Sequence, residues 1–147
     1  MATEDFVFGL GYRHGMSWAD YVAALELQRH GVVPDGSLVP ATFLVAVVGG
    51  AVVGRTSIRH MLNPFLAWEG GHIGYGVLPE HRGRGYATEI LRQSLVIARA
   101  VDLDRVLLVC DDDNVASIKV IERCGGVLES VIHRTDPGPP FRRYWID

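Results

Sequence analysis

The chain has no run of about 18 or more apolar residues, so no segment is expected to cross a bilayer as a helix. Its first residues, MATEDFVFG, carry acidic side chains where a secretory leader would carry basic ones, and no long apolar core follows; a cytoplasmic protein without membrane contact is the expectation. Cysteine is scarce: Cys110 and Cys124 stand alone, in neither a paired metal motif nor a disulfide framework. The six histidines show no ligand-like spacing, so no metal is expected. A basic stripe is also missing, and a formal charge of −3 weighs against a nucleic-acid partner. Repeats, low-complexity tracts and linkers are absent. What remains, 147 residues of which 48% are hydrophobic, fits one compact domain spanning residues 1–147 around a single core.

The elements alternate in type. Ser17-Trp18-Ala19-Asp20 reads as a capping box opening a helix that places Trp18, Val22 and Leu25 on one face and stops at Gly31. Val32 to Pro40 reads as loop. Thr42–Val48 and Ala51–Arg59 are β-branched runs separated by Gly49-Gly50, a hairpin signature. A connecting loop, 60–71, leads to a strand over His72–Val77 with glycines at 74 and 76. Glycine inside a strand marks a bulge or a close approach by backbone or ligand. Gly85–Val101 has helical periodicity, with Ala87, Ile90, Leu91, Ser94, Ala98 and Val101 on one side. A buried strand (Arg105–Cys110), a short helix (Val115–Cys124) and two last strands (Val127–His133 and Phe141–Ile146) complete the chain. The expected architecture is mixed α/β (α+β) with a largely antiparallel sheet and one strand–helix–strand crossover.

Between the glycine-bearing strand and the long helix lies PEHRGRGYATEIL, residues 79–91. A helix starting near Gly85 offers free backbone N–H groups and a partial positive charge. Gly83 and Gly85 carry no side chain to hold a phosphate away, and Arg82 and Arg84 add charge. A pyrophosphate, which can use several donors together, suits this arrangement better than a carboxylate. No Lys-Ser/Thr pair follows the glycines, which excludes the ATP-type phosphate loop, and Tyr86-Ala87-Thr88 breaks the dinucleotide pattern G-x-G-x-x-G.

Arg82-Gly83-Arg84-Gly85-Tyr86-Ala87 instead resembles the acetyl-CoA signature R/Q-x-x-G-x-G/A of the GCN5-related N-acetyltransferase (GNAT) superfamily. A second segment resembles the family's N-x-x-S and E-K-x-G-F elements: Asn114-Val115-Ala116-Ser117, then Glu122-Arg123-Cys124-Gly125-Gly126. The resemblance runs from about Thr42 to Ile146 and is similar in detail to a bacterial branch of acetyltransferases. It implies a GNAT-like fold with splayed central strands, its N-terminal part abbreviated here. It implies acetyl-CoA as cosubstrate, with the main chain of Tyr75, Gly76 and Val77 pairing with the pantetheine arm like an added strand. Residues Arg82, Gly83, Arg84, Gly85, Tyr86 and Ala87 would wrap the pyrophosphate, and Asn114 and Ser117 would bond further along the cofactor. For Asn114 a helix-capping role is compatible with that contact.

The implied reaction is direct acetyl transfer to a primary amine of a small molecule or peptide. A lysine-like amine has a pKa of about 10.4, so roughly one molecule in 2,500 is neutral at pH 7 and a base has work to do. Glu69 and His72, at the entrance to the glycine-bearing strand, are the candidate catalytic residues, each also readable as structural. A backbone N–H near Val77, supplied by a bulge, would hold the oxyanion. The tyrosine that often serves the family as general acid would fall at Ile121. That departure leaves a non-catalytic acyl-CoA-binding or sensing domain as the alternative, and a nucleotide-phosphate binder as a third. By analogy, the exposed final strands would pair two copies into a homodimer.

Overall fold

The computed structural model describes residues 8–33 and 38–147, so the acidic N-terminal stretch and the tip of the Val32–Pro40 loop lie outside the described residues. Helix α1 spans Trp18–Arg29, and Ser17 Oγ accepts the Asp20 N–H at 3.1 Å, one half of the expected capping box. The apolar face of α1 differs from the one read in the sequence. Tyr21 is its buried residue, whereas Trp18 and Val22 are exposed. Trp18 is held at the surface by stacking on Tyr12, with ring centroids 4.6 Å apart. The Tyr21 hydroxyl donates to the Leu10 carbonyl at 2.9 Å, which fixes the helix rotation by a contact that helical periodicity does not encode.

Strands β1 (Ala41–Val48) and β2 (Ala51–Arg59) form the expected hairpin. Gly49 and Gly50 turn it with φ of +57° and +81°, the left-handed pair that a two-residue turn between twisted strands demands. β3 (Ile73–Val77) adds antiparallel to β2, giving the sheet order β1-β2-β3. β4 (Val106–Asp111), β5 (Val127–Ile132) and β6 (Phe141–Ile146) form a second antiparallel sheet in the order β4-β6-β5. Helix α2 (Tyr86–Ala100) links β3 to β4, and α3 (Val115–Arg123) follows β4. The bulges sit between Ala46 and Val47 of β1 and between Leu128 and Ser130 of β5. β3 pairs with β2 without irregularity, so the bulge expected near Val77 is not there.

The core lies where α2 and α3 cover both sheets: Ile58, Ile73, Leu91, Leu95, Ala98, Val106, Leu108, Ile121 and Tyr144 are all buried together. Two hydroxyls enter it and satisfy each other, Thr56 Oγ1 with Ser94 Oγ at 2.9 Å, while Ser94 also donates to the Ile90 carbonyl.

The two sheets meet at one joint. The His72 N–H donates to the Leu107 carbonyl at 2.8 Å, and the Leu107 N–H donates to His72 Nδ1 at 2.9 Å. Gly71 makes this approach possible: its φ is +72°, and a Cβ there would stand 2.6 Å from the Leu107 oxygen. Beyond the joint β3 and β4 share no ladder and diverge.

Candidate active site

Register decides which backbone groups face the gap between β3 and β4. Arg59 N–H bonds the His72 carbonyl and Leu78 N–H bonds the Val53 carbonyl, so the His72 carbonyl, both backbone groups of Gly74 and Gly76, and the Leu78 N–H are turned to β2. Tyr75 and Val77, alternating with them, turn theirs toward the gap. No bulge is needed to present a Val77 N–H there; strand alternation does it.

A cavity of about 710 Å³ fills the gap. Tyr75, Gly76 and Val77 form one wall, Gly83, Gly85, Tyr86, Ala87 and Thr88 the floor at the start of α2, and Asn114 and Ser117 the opposite wall on α3. The cofactor-binding residues read from the sequence therefore converge, with one exception: Arg84 does not line the cavity. Gly83 and Gly85 have φ of +75° and +84°, and a Cβ at either would meet no protein atom within 4 Å. Their glycines are set by backbone conformation, and the space in front of them is open to a ligand. The N–H groups of Tyr86, Ala87 and Thr88 belong to the first turn of α2 and have no partner inside the helix. Arg82 Nε donates to the Val77 carbonyl at 3.0 Å, bracing the loop against β3. Asn114 caps α3 through Oδ1, which accepts the Ser117 N–H at 3.1 Å, so the capping role is observed and the side chain still borders the cavity.

Two features of this cavity escaped the sequence reading. Lys119 and Arg123 line it alongside His81 and Arg82, while no carboxylate does, in a chain of net charge −3. The Tyr75 hydroxyl crosses to α3 and hydrogen-bonds Ser117 Oγ at 3.1 Å. Burial pushes its pKa up to about 12 against the opposing effect of the Ser117 hydrogen bond, so the hydroxyl keeps its proton at neutral pH. The pairing of residues 42 positions apart left no local signal.

Glu69 and His72 sit outside the cavity wall. Glu69, in a single π-helical turn (Leu66–Gly70), is ion-paired with Arg134, which also holds Asp111 at 2.8 Å. His72 is buried and spends Nδ1 on Leu107; burial, then the Arg59 guanidinium, depresses its pKa and keeps the ring neutral. The acidic run after β4 is likewise engaged, Asp112 with Arg142 at 2.5 Å. Ile121, where the family often has its tyrosine, is 1% exposed in the core. Burial raises the pKa of both thiols, that of Cys110 to about 11, which disfavours the thiolate form of each. Among the described residues no cluster of His, Cys, Asp and Glu could hold a metal ion, and no helix is long and apolar enough to cross a membrane.

This geometry has counterparts. The family profile described as the acetyltransferase (GNAT) domain matches residues 16–127. The fold is similar to that of an N-acetyltransferase from Staphylococcus aureus Mu50 (TM-score 0.66, 19% identity, 90% of this chain and 78% of that one). It is also similar to RimL, a ribosomal L7/L12 α-N-protein acetyltransferase in complex with coenzyme A (0.64, 20% identity, 87% and 69%). A third similar structure is yncA from Salmonella typhimurium with its cofactor acetyl-CoA (0.61, 16% identity, 89% and 90%). No curated protein sequence matches the chain significantly. With the two half-sheets splayed around a cation-lined cleft and the profile matching well over half of its length, the chain belongs to the GNAT acetyltransferase family.

Proposed function

We propose that the cleft holds acetyl-CoA with its pantetheine arm along Tyr75, Gly76 and Val77, hydrogen-bonded to the main-chain groups that β2 leaves unused, and that the acetyl group passes directly to a primary amine of a small molecule or peptide. The pyrophosphate takes the N–H groups of Tyr86, Ala87 and Thr88, and Asn114 offers its amide N–H further along. One observation carries the reading: a cleft lined by cations and no carboxylate opens directly onto the first turn of α2.

In this reading the amine attacks the thioester carbonyl, and the Val77 N–H stabilises the oxyanion in a site that carbonyl geometry alone would not fill. Collapse expels the thiolate; the Tyr75 hydroxyl, backed by Ser117, donates a hydrogen bond to it, and the water chain that took the amine's proton supplies the proton that completes the thiol. A thiol has a pKa of roughly 8.5, so this proton is worth less than the one removed from the amine. Glu69 and His72 hold the loop and the joint, and the amine's proton leaves through water.

Isothermal titration of the folded protein with acetyl-CoA, followed by thiol release with a panel of amines, tests the proposal. Saturable binding that Gly85→Val weakens at least about tenfold, with turnover on some amine, is the expected result, since a side chain at that left-handed position enters the cleft. Absence of binding to folded protein would sink it.

A further inference from the structure

We infer that the amine acceptor carries a carboxylate, and that Arg59 and Ser57 bind it on the face of the first sheet turned away from α2. The inference rests on the acetyl-transfer reading above and names the substrate class of that same site. In that reading the cofactor fills the cleft on the α2 and α3 side of β3, so the amine comes to the thioester from the opposite face. Strand alternation assigns the faces of β2. Thr56 and Ile58 meet α2 and the core, whereas Arg55, Ser57 and Arg59 turn to the other side. There β3 sets Gly76 opposite Arg55 and Gly74 opposite Ser57, two positions that put no side chain over the track.

What the guanidinium touches is the informative part. Arg59 Nη1 donates to the Gly70 and Gly71 carbonyls, each at 3.2 Å, and the side chain makes no ion pair among the described residues. Nε and Nη2 have no partner there. No sealed-off side-chain nitrogen or oxygen is left unsatisfied, so both atoms border space that a ligand can reach. The Ser57 hydroxyl is placed likewise: the residue is only 7% exposed, yet its oxygen is reachable and has no partner among the described residues. The two groups converge. A Cβ at Gly74 would stand 3.3 Å from Nη2 and 3.4 Å from Nη1, so the guanidinium lies over Gly74, the residue directly across from Ser57. Glu69, one residue before the carbonyls that Arg59 holds, is taken by Arg134. Burial, and then the neighbouring Arg55 charge, lower the Arg59 pKa, the mark of a cation short of counter-charge.

A half-buried guanidinium without a counterion is costly to keep unless an anion arrives to neutralise it. Nε and Nη2 form the edge of the fork that meets a carboxylate in two parallel bonds, and Ser57 supplies a further donor. A diamine or polyamine acceptor would instead set a second cation beside the guanidinium. Register also limits the length of the acceptor. Gly74 and Val77 are three residues apart, about 10 Å along the strand. With a bonding distance of about 3 Å deducted at each end, the amine and the carboxylate lie roughly 4–8 Å apart. That span suits an ω-amino acid of about four to six carbons and is too long for an α-amino acid reacting at its α-amine.

The test measures thiol release from acetyl-CoA with 4-aminobutyrate, 5-aminopentanoate and 6-aminohexanoate, each against its primary amide, which keeps the amine and removes the charge. Native protein is expected to favour the acids about ten- to a hundredfold in kcat/KM, the range of a hydrogen bond to a charged group. Arg59→Gln should lower kcat/KM for the acids at least about tenfold more than for the amides, and Arg59→Lys should keep part of the preference. An equal fall for acid and amide would show that Arg59 only holds the loop carbonyls, and would overturn the inference. So would native protein that takes the amides as readily as the acids, or that binds acetyl-CoA and acetylates none of the acids. Native protein that binds no acetyl-CoA in titration overturns the acetyl-transfer reading and this assignment with it, which separates the two failures. Thermal melting reports whether Arg59→Gln folds, and the comparison of acid with amide in native protein decides the matter if it does not.

Discussion

At Gly126 a Cβ would stand 2.4 Å from Ile121 Cγ2 and 2.9 Å from the Ile121 carbonyl oxygen. Two departures from the family's sequence pattern, glycine for an aromatic at 126 and isoleucine for tyrosine at 121, are thus one packing arrangement. Restoring the tyrosine by Ile121→Tyr is expected to lower stability by about 1–3 kcal/mol through overpacking and to raise turnover not at all. Thermal melting and steady-state rates check this; a variant of native stability and higher turnover would refute it. In the proposed mechanism the hydroxyl that meets the leaving thiolate belongs instead to Tyr75, which the sequence showed as one of several alternating strand residues. Tyr75→Phe is expected to cut turnover roughly ten- to a hundredfold while the affinity for acetyl-CoA changes by less than about threefold. Comparable losses in rate and affinity would mean that the hydroxyl only shapes the cleft. Glycines, caps and signatures were legible because each is a local pattern. The bond from Tyr75 to Ser117 and the ion pair of Glu69 with Arg134 were not, because each joins residues distant in the chain.

The elements built from local pattern, the hairpin over Gly49-Gly50 and helices α2 and α3, stand where composition and spacing put them. The elements whose function depends on orientation do not reveal it so directly. α1 turns Tyr21 inward, and the joint between β3 and β4 depends on a histidine whose partner lies 35 residues away. His72 has the chemical character of a base, but its fixed bonds make it the joint. Its pKa is lowered in the folded state, so unfolded chains bind the proton more readily. Stability is then full above the unfolded value of about 6.5 and declines as pH falls through the folded pKa. His60, lowered by burial and Arg29 and bonded to Thr42 Oγ1, adds to the same decline. Urea unfolding at pH 7.5, 6.5 and 5.5 should show native protein losing stability across this window. His72→Leu should cost about 1–3 kcal/mol at pH 7.5, because the Leu107 N–H loses its acceptor, and should fall less steeply toward pH 5.5. A variant of native stability that has lost all turnover would restore His72 as the base.

Across the whole molecule, two three-stranded sheets joined at one end and open at the other make a scaffold whose missing central ladder a ligand can supply. The fold class was readable from the order of elements. That the sheet is split into two, and that its open strand exposes alternate residues, comes from register, which composition does not carry. Register also yields a residue-level forecast. The amides of Gly74 and Gly76 are bonded to β2 before any ligand arrives, whereas those of Tyr75 and Val77 face the cleft. Saturating acetyl-CoA at about 100 times its Kd should stabilise the fold by about 2.7 kcal/mol. Hydrogen exchange by NMR should then separate two kinds of amide under conditions where exchange follows local opening. Tyr75 and Val77 should slow by well over the factor common to the whole sheet, since they gain a partner outright. Gly74 and Gly76 should slow only by that common factor, having gained none. Uniform slowing of all four amides would show that the cofactor stabilises the fold without pairing to β3, and would require the pantetheine arm to run elsewhere in the cleft.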